Sequence, residues 1–296
     1  MSAPKLLASR NFGFRYSSPM GMWFTLFFIL PIAIIISYSF MEKGLHGGVT
    51  MKFTLDAYVQ MCNSSYAKLL VRTLWVTVIT TVLSIAIALP CGYAMARSRI
   101  QTVLLFLVII PFWTNSLIRI NAWIAILGNE GFINETLKNL GFIKESLPLL
   151  YNQSAVVLVL VYMYLPYAIL PIFTAMDKFD FSLLEAARDL GATKAQSMFK
   201  VLLPNVRSGI VTAIIFTFIP IFGAYTVPLL VGGKDSYMIG NIIVDQVTKV
   251  RNWPLASAFS MIITVLSTIG VFWMMGTSAR EAAKFKAAQV KSETGV

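Results

Sequence analysis

The sequence is short of the residues on which most enzyme chemistry depends: it has one histidine, His46, two cysteines, Cys62 and Cys91, and 12% charged residues. A lone histidine in a polar loop cannot supply an HExxH zinc helix or a pair of haem ligands, and it is not placed for a His-based triad. Lys234 follows Gly233 without the glycine spacing of a phosphate loop, so the chain does not bind ATP by that motif. An ordinary soluble domain is about 25% charged, twice the proportion found here, which excludes a soluble globular enzyme. No catalytic or metal site is expected.

The scarcity of charge is concentrated in long stretches. Uncharged runs cover 16–41, 73–96, 100–118, 146–176, 208–233 and 252–279, each near or above the roughly 18 residues a membrane-spanning helix needs. The expected fold is therefore an all-α membrane protein with six spans, at about 20–41, 69–95, 103–127, 155–176, 209–231 and 255–276. No stretch remains for an independent soluble domain, so 1–296 is read as a single transmembrane domain. The first apolar run is too long for a signal-peptide core and has no small-residue cleavage site after it, so span one is expected to persist.

The net charge of +11 follows topology rather than a nucleic-acid surface. With the N-terminus inside, the segments 1–19, 97–102, 177–208 and 277–296 hold 14 Lys and Arg against 8 in the loops 41–68, 128–154 and 232–254. The acids divide almost evenly, so the bias lies in the basic residues, which predicts that both termini are cytoplasmic. Cys62 then falls outside and Cys91 near the cytoplasmic end of span two, too far apart to pair. No Asp or Glu falls inside any span, which argues against the carboxylate relay of an ion-coupled secondary transporter, the alternative of a different class.

Pro31, Pro111, Pro166, Pro171 and Pro220 lie within the spans, where each removes a backbone donor and is expected to bend its helix. Between Gly131 and Gly141, Ile133, Leu137 and Leu140 recur at helical spacing, and Ile239, Ile242, Ile243 and Val247 mark a second short amphipathic helix. No internal repeat is evident.

The longest inside segment, 177–208, encodes a helical hairpin. Ser182 with Glu185 reads as a capping box opening a helix over 183–190, and Gly191 is placed to end it in a left-handed turn. Thr193 with Gln196 opens a second helix, on which Ala195, Met198, Phe199 and Leu202 share a face as far as Pro204. A helix-turn-helix DNA reader is excluded because the unit is tethered between spans and carries nearly as many acids as bases.

The run Glu185-Ala186-Ala187, three residues, Gly191, nine residues, Val201-Leu202-Leu203-Pro204 resembles the EAA loop of binding-protein-dependent ABC importer permeases. Val201 in place of isoleucine is the one departure from the pattern. The resemblance implies that Glu185, Ala186, Ala187, Gly191, Leu203 and Pro204 belong to a coupling helix that docks into an ATPase subunit. The small Ala186 and Ala187 would let another backbone approach closely, and the plain alternative is a connector lying on the membrane surface.

A narrower resemblance covers Pro111-Phe112-Trp113-Thr114-Asn115-Ser116-Leu117-Ile118-Arg119, the stretch Glu185 to Ala192, and Ile239-Gly240-Asn241. These segments are similar to the first permease subunit of spermidine/putrescine importers. That likeness implies a type I importer permease core in a bacterial inner membrane. It further implies a second permease subunit, an ATPase dimer that binds ATP and Mg, and a periplasmic substrate-binding protein as partners, with no cofactor in this chain.

Arg119 lies about 24 Å along span three from its cytoplasmic end. Two readings are open: its long stem snorkels to the outer headgroups, or it gates or ion-pairs inside the bundle, with Asn115 and Ser116 lining a path. Trp113, Tyr162, Tyr164, Tyr225 and Trp273 offer ring faces to a cation or serve as packing anchors, and Trp113 stands out by adjoining Asn115 and Ser116. A polyamine substrate rests on the resemblance. The fixed charge of Arg119 leaves an anionic substrate as the alternative within the class.

Overall fold

The computed structural model describes the backbone of residues 10–294 and the side chains of residues 17–276. Helix α1 (Arg10–Phe24) passes through a π-helical turn, Thr25–Ile29, into α2 (Leu30–Ser39), and the hairpin β1 (Met41–Lys43) and β2 (Val49–Phe53) leads to α3 (Asp56–Met61). Next come α4 (Ser64–Ala96), α5 (Gln101–Ile109), α6 (Ser116–Leu127), α7 (Phe132–Asn139), α8 (Gln153–Asp177) and α9 (Ser182–Asp189). The remaining helices are α10 (Lys194–Ser197), α11 (Leu203–Asn205), α12 (Arg207–Phe222), α13 (Thr226–Val231), α14 (Ile239–Thr248) and α15 (Trp253–Thr294).

Four helical segments are each long and apolar enough to cross a membrane: Ser17–Ser39, Ser64–Ala96, Gln153–Asp177 and Trp253–Gly276. The count rises to six when two bent pairs are each taken as one span. The stretch expected as a span over 103–127 breaks at Thr114 and Asn115, and the helices on either side meet at 92°. Pro111 lacks the donor an α-helix needs, so the chain tightens into a 3-10 turn, Ile110–Trp113, before the extended break. The Asn115 side chain then accepts the Leu117 N–H at 2.8 Å and caps a new helix. Over the stretch expected at 209–231, α12 ends at Phe222, just past Pro220, and α13 starts afresh at Thr226. Pro166 and Pro171, by contrast, lie within an unbroken α8.

By packing, the described residues fall into two compact units, one from the residues up to 63 together with 245–262, the other from 64–244 together with the residues after 262. In the first unit the β1–β2 hairpin closes against Arg251, whose carbonyl accepts the Gly48 N–H at 2.9 Å. Phe40 stacks on Phe53, and the Tyr58 hydroxyl donates to the buried Ser39 Oγ at 2.9 Å.

The second unit is built on α4, α8 and α12, which pack against one another. The buried face of α4 is a row of small and hydroxyl residues, among them Thr73, Thr77, Thr80, Ser84, Ala88 and Gly92. In a bilayer, where apolar burial does not favour one helix neighbour over lipid, such a row promotes packing by letting backbones approach. A Cβ on Gly92 would lie 2.9 Å from Ile172 Cγ2, and one on Gly209 would lie 2.8 Å from the Pro171 carbonyl oxygen. Apolar clusters form at the two ends of the bundle. One joins Met95, Ile172 and Met176 to Leu184, Leu202 and Val206, and the other joins Val76, Ile120, Val159, Ile221, Val231 and Met238.

Candidate functional site

At the first of these ends, α9 and the helical arm from α10 to α11 form the hairpin anticipated from 177–208. The first capping box is absent. The helix starts at Ser182 itself, and Asp180 does the capping, its Oδ1 accepting the Ser182 N–H at 3.0 Å. Hydrogen bonds from the Ser182 hydroxyl and N–H hold the Asp180 carboxyl below its ordinary range. Gly191 ends α9 at φ +87°, and the Ala192 N–H donates to the Ala187 carbonyl at 3.0 Å, closing a Schellman turn. The Thr193–Gln196 capping box is present in both directions, at 3.2 and 2.9 Å.

Pro204 does not end the second arm, which runs on to Asn205. A π-helical turn, Met198–Leu202, absorbs the donor that Pro204 lacks. The arm's expected apolar face is divided: Leu202 is fully buried with Leu184 beneath the hairpin, whereas Phe199 is 69% exposed and Ala195 is also exposed. Leu190, Glu185, Ala186 and Pro204 are exposed as well, with Ala187 and Leu203 half-buried. The hairpin thus roots itself by Leu184 and Leu202 and presents apolar residues, Leu190 and Phe199, that no described residue covers.

Arg97, just past α4, ties the hairpin to the bundle. Its Nη1 donates to the Tyr93 hydroxyl at 2.9 Å, and its guanidinium lies 5.6 Å from the centre of the Phe181 ring. The Tyr93 hydroxyl, with a smaller contribution from the Glu185 carboxylate, raises the Arg97 pKa above its ordinary value.

At the other end, the break between α12 and α13 and the start of α6 enclose a cavity of about 230 Å³. Ser116, Tyr164, Tyr225 and Thr226 are the hydroxyl-bearing residues of its lining, which is otherwise apolar side chains and Gly223, and no carboxylate is among them. Ordinary small-molecule sites begin near 300 Å³, which makes this the size of a partial site.

The structure separates the predicted path residues. Ser116 faces the cavity, Asn115 is occupied as a helix cap, and Trp113 is 80% exposed and absent from the lining. Arg119 also lies outside the lining. Its guanidinium stacks over Phe112 at 4.7 Å, with Nε and Nη1 buried and without a hydrogen-bond partner among the described residues. Phe112 in turn meets Tyr167 edge to face at 5.6 Å. Of the aromatic candidates, Tyr164 and Tyr225 line the cavity, while Tyr162 packs on Trp123. The closeness of Pro220 to Gly223 was the sequence signal for the break that creates this cavity.

The family described as binding-protein-dependent transport system inner membrane component matches residues 84–281. The chain is 36% identical over 255 residues to the spermidine/putrescine transport system permease protein PotB of Escherichia coli (strain K12), covering 85% of this chain and 93% of that protein. PotB of Haemophilus influenzae is 35% identical, over 84% of this chain and 88% of its own length. Among solved structures, a bacterial ABC transporter involved in the import of the acidic polysaccharide alginate superposes with a TM-score of 0.70 at 16% identity, covering 92% of this chain and 96% of that one.

Proposed function

The chain belongs to the family of binding-protein-dependent transport system inner membrane components, and on that premise we propose that it moves polyamines of the spermidine/putrescine type into the cytoplasm. It is a multi-pass permease of an ABC importer and not itself an enzyme. The observation that carries the polyamine reading is its similarity, along most of its length, to permeases of spermidine/putrescine transport systems.

In this reading both termini are cytoplasmic, and the hairpin from Glu185 to Pro204 docks into an ATPase dimer that binds ATP and Mg. Closure of that dimer pulls on a hairpin made stiff by the Gly191 turn and the Thr193 cap, and Leu184 and Leu202 pass the movement to the core under α4 and α8. A second permease subunit completes the path begun by the cavity at Ser116, Tyr164 and Tyr225, and a periplasmic binding protein delivers the substrate. Hydroxyl oxygens and ring faces replace part of an ammonium group's hydration without a carboxylate to trap it. The Arg119 guanidinium lies over Phe112 at 4.7 Å and is not among the lining residues, so in this reading its positive charge sits beside the path without forming its wall.

Purification of this chain from native membranes under mild detergent tests the assembly. Recovery of an ATPase and a second permease in stoichiometric amounts is expected. A lone chain that transports on a proton gradient would instead support a secondary transporter.

A further inference from the structure

The turn that shapes the cavity is held from one side by the start of α14. Asn241 is 3% exposed, and its Nδ2 donates to the Tyr225 carbonyl at 2.8 Å while its Oδ1 accepts the Met238 N–H at 3.0 Å. Both partners are backbone groups of opposite character, which fixes the orientation of the amide. Next to it, Gly240 fits against the same turn so closely that a Cβ would stand 2.7 Å from the Ala224 oxygen and 2.8 Å from that of Gly223. The grip is anchored to the bundle in turn: the Ile239 N–H donates at 2.9 Å to Thr73 Oγ1, whose own hydroxyl donates to the Leu69 carbonyl.

A helix break inside a membrane leaves backbone carbonyls and donors that must find partners. Here the Tyr225 carbonyl, which accepts the Leu229 N–H at 3.0 Å within its own helix start, takes a second hydrogen bond from a side chain of a different helix, and Tyr225 is among the residues that line the cavity. We propose that Asn241 and Gly240 are positioning residues that fix the Tyr225 turn, and thereby set the opening of the cavity and its preference among linear polyamines. The selectivity half of this inference rests on the polyamine reading; the mechanical half does not.

The test uses the complete importer, with its binding protein, in lipid vesicles. In a chain carrying Cys62→Ser and Cys91→Ser, the thiol introduced by Tyr225→Cys is modified with a small cationic thiosulfonate, alone and together with Asn241→Asp or Gly240→Ala. Asn241→Asp keeps the acceptor for Met238 and replaces the donor to Tyr225 by a repelling oxygen. Loss of one such hydrogen bond corresponds to about a five- to tenfold change in the population of the held turn, so modification is expected to speed up by about that factor. Without Tyr225→Cys, the same two variants are expected to raise the KM for uptake more than they lower kcat and to alter the ratio of spermidine to putrescine transport.

An unchanged modification rate in assembled complexes would overturn the proposal. Loss of assembly by both variants, or a parallel fall in uptake of both amines at constant KM, would equally assign the contacts a purely structural role. If the unsubstituted importer carries neither amine, the substrate reading fails and the modification rate still decides whether Tyr225 is held.

Discussion

Ala192 and Ala187 are joined by a hydrogen bond of 3.0 Å that wraps around Gly191, where φ is +87° and no neighbour lies within 4 Å of an added Cβ. Conformation alone, with no crowding, therefore restricts this position. Gly191→Ala should weaken the turn by roughly 1–2 kcal/mol, and Gly191→Val by more because its side chain is β-branched. Both proteins should insert normally, while ATPase recovery falls in the order Gly, Ala, Val. Equal recovery for all three would reduce the hairpin to a connector.

The exposed apolar residues of the hairpin separate docking from folding. Leu190 is 89% and Phe199 69% exposed, whereas Leu184 is 2% exposed. Leu190→Asp or Phe199→Asp should leave thermal stability within about 0.5 kcal/mol while reducing ATPase attachment at least tenfold. Leu184→Asp should destabilise the chain itself. Size-exclusion profiles combined with ATPase co-purification distinguish the two outcomes.

The partition of basic residues, 14 against 8, predicts which surface faces the cytoplasm. Ser182 and Asn139 are both exposed, so a cysteine at Ser182 should react with an impermeant maleimide only from the cytoplasmic side and one at Asn139 only from outside. Asn134 would be a poor reporter, since it is buried and bridges Gly128 and Leu147.

Arg119 and Phe112 should behave as a pair. Arg119→Lys loses the planar face that stacks on the ring, and Phe112→Leu loses the ring, so a double-mutant cycle on thermal stability of the detergent-solubilised complex should give a coupling of about 0.5–2 kcal/mol. Additive effects would show that the stacking contributes nothing.

Much of this architecture is legible in the sequence because membrane helices are specified by length and apolarity, and the hairpin by punctuation residues such as Gly191 and Thr193. The proline signals were less even. Helices end within a few residues after Pro111 and Pro220, while Pro166 and Pro171 sit inside an unbroken helix packed on both α4 and α12. Ser182 misled because Asp180, two residues earlier, takes the Ser182 N–H that the capping box would have given to the Glu185 carboxylate. The hold of Asn241 on Tyr225 spans 16 residues across a chain reversal, a relationship that no local spacing encodes.

Uptake by the reconstituted complex decides whether this permease serves the ATP-driven import of a linear polycation. Vesicles containing this chain, its second permease and its ATPase, supplied with the binding protein, should accumulate labelled spermidine or putrescine only when ATP is present on the ATPase side, and should exclude sulfate and small carboxylates. ATP-dependent accumulation of an anion with neither polyamine would contradict the account.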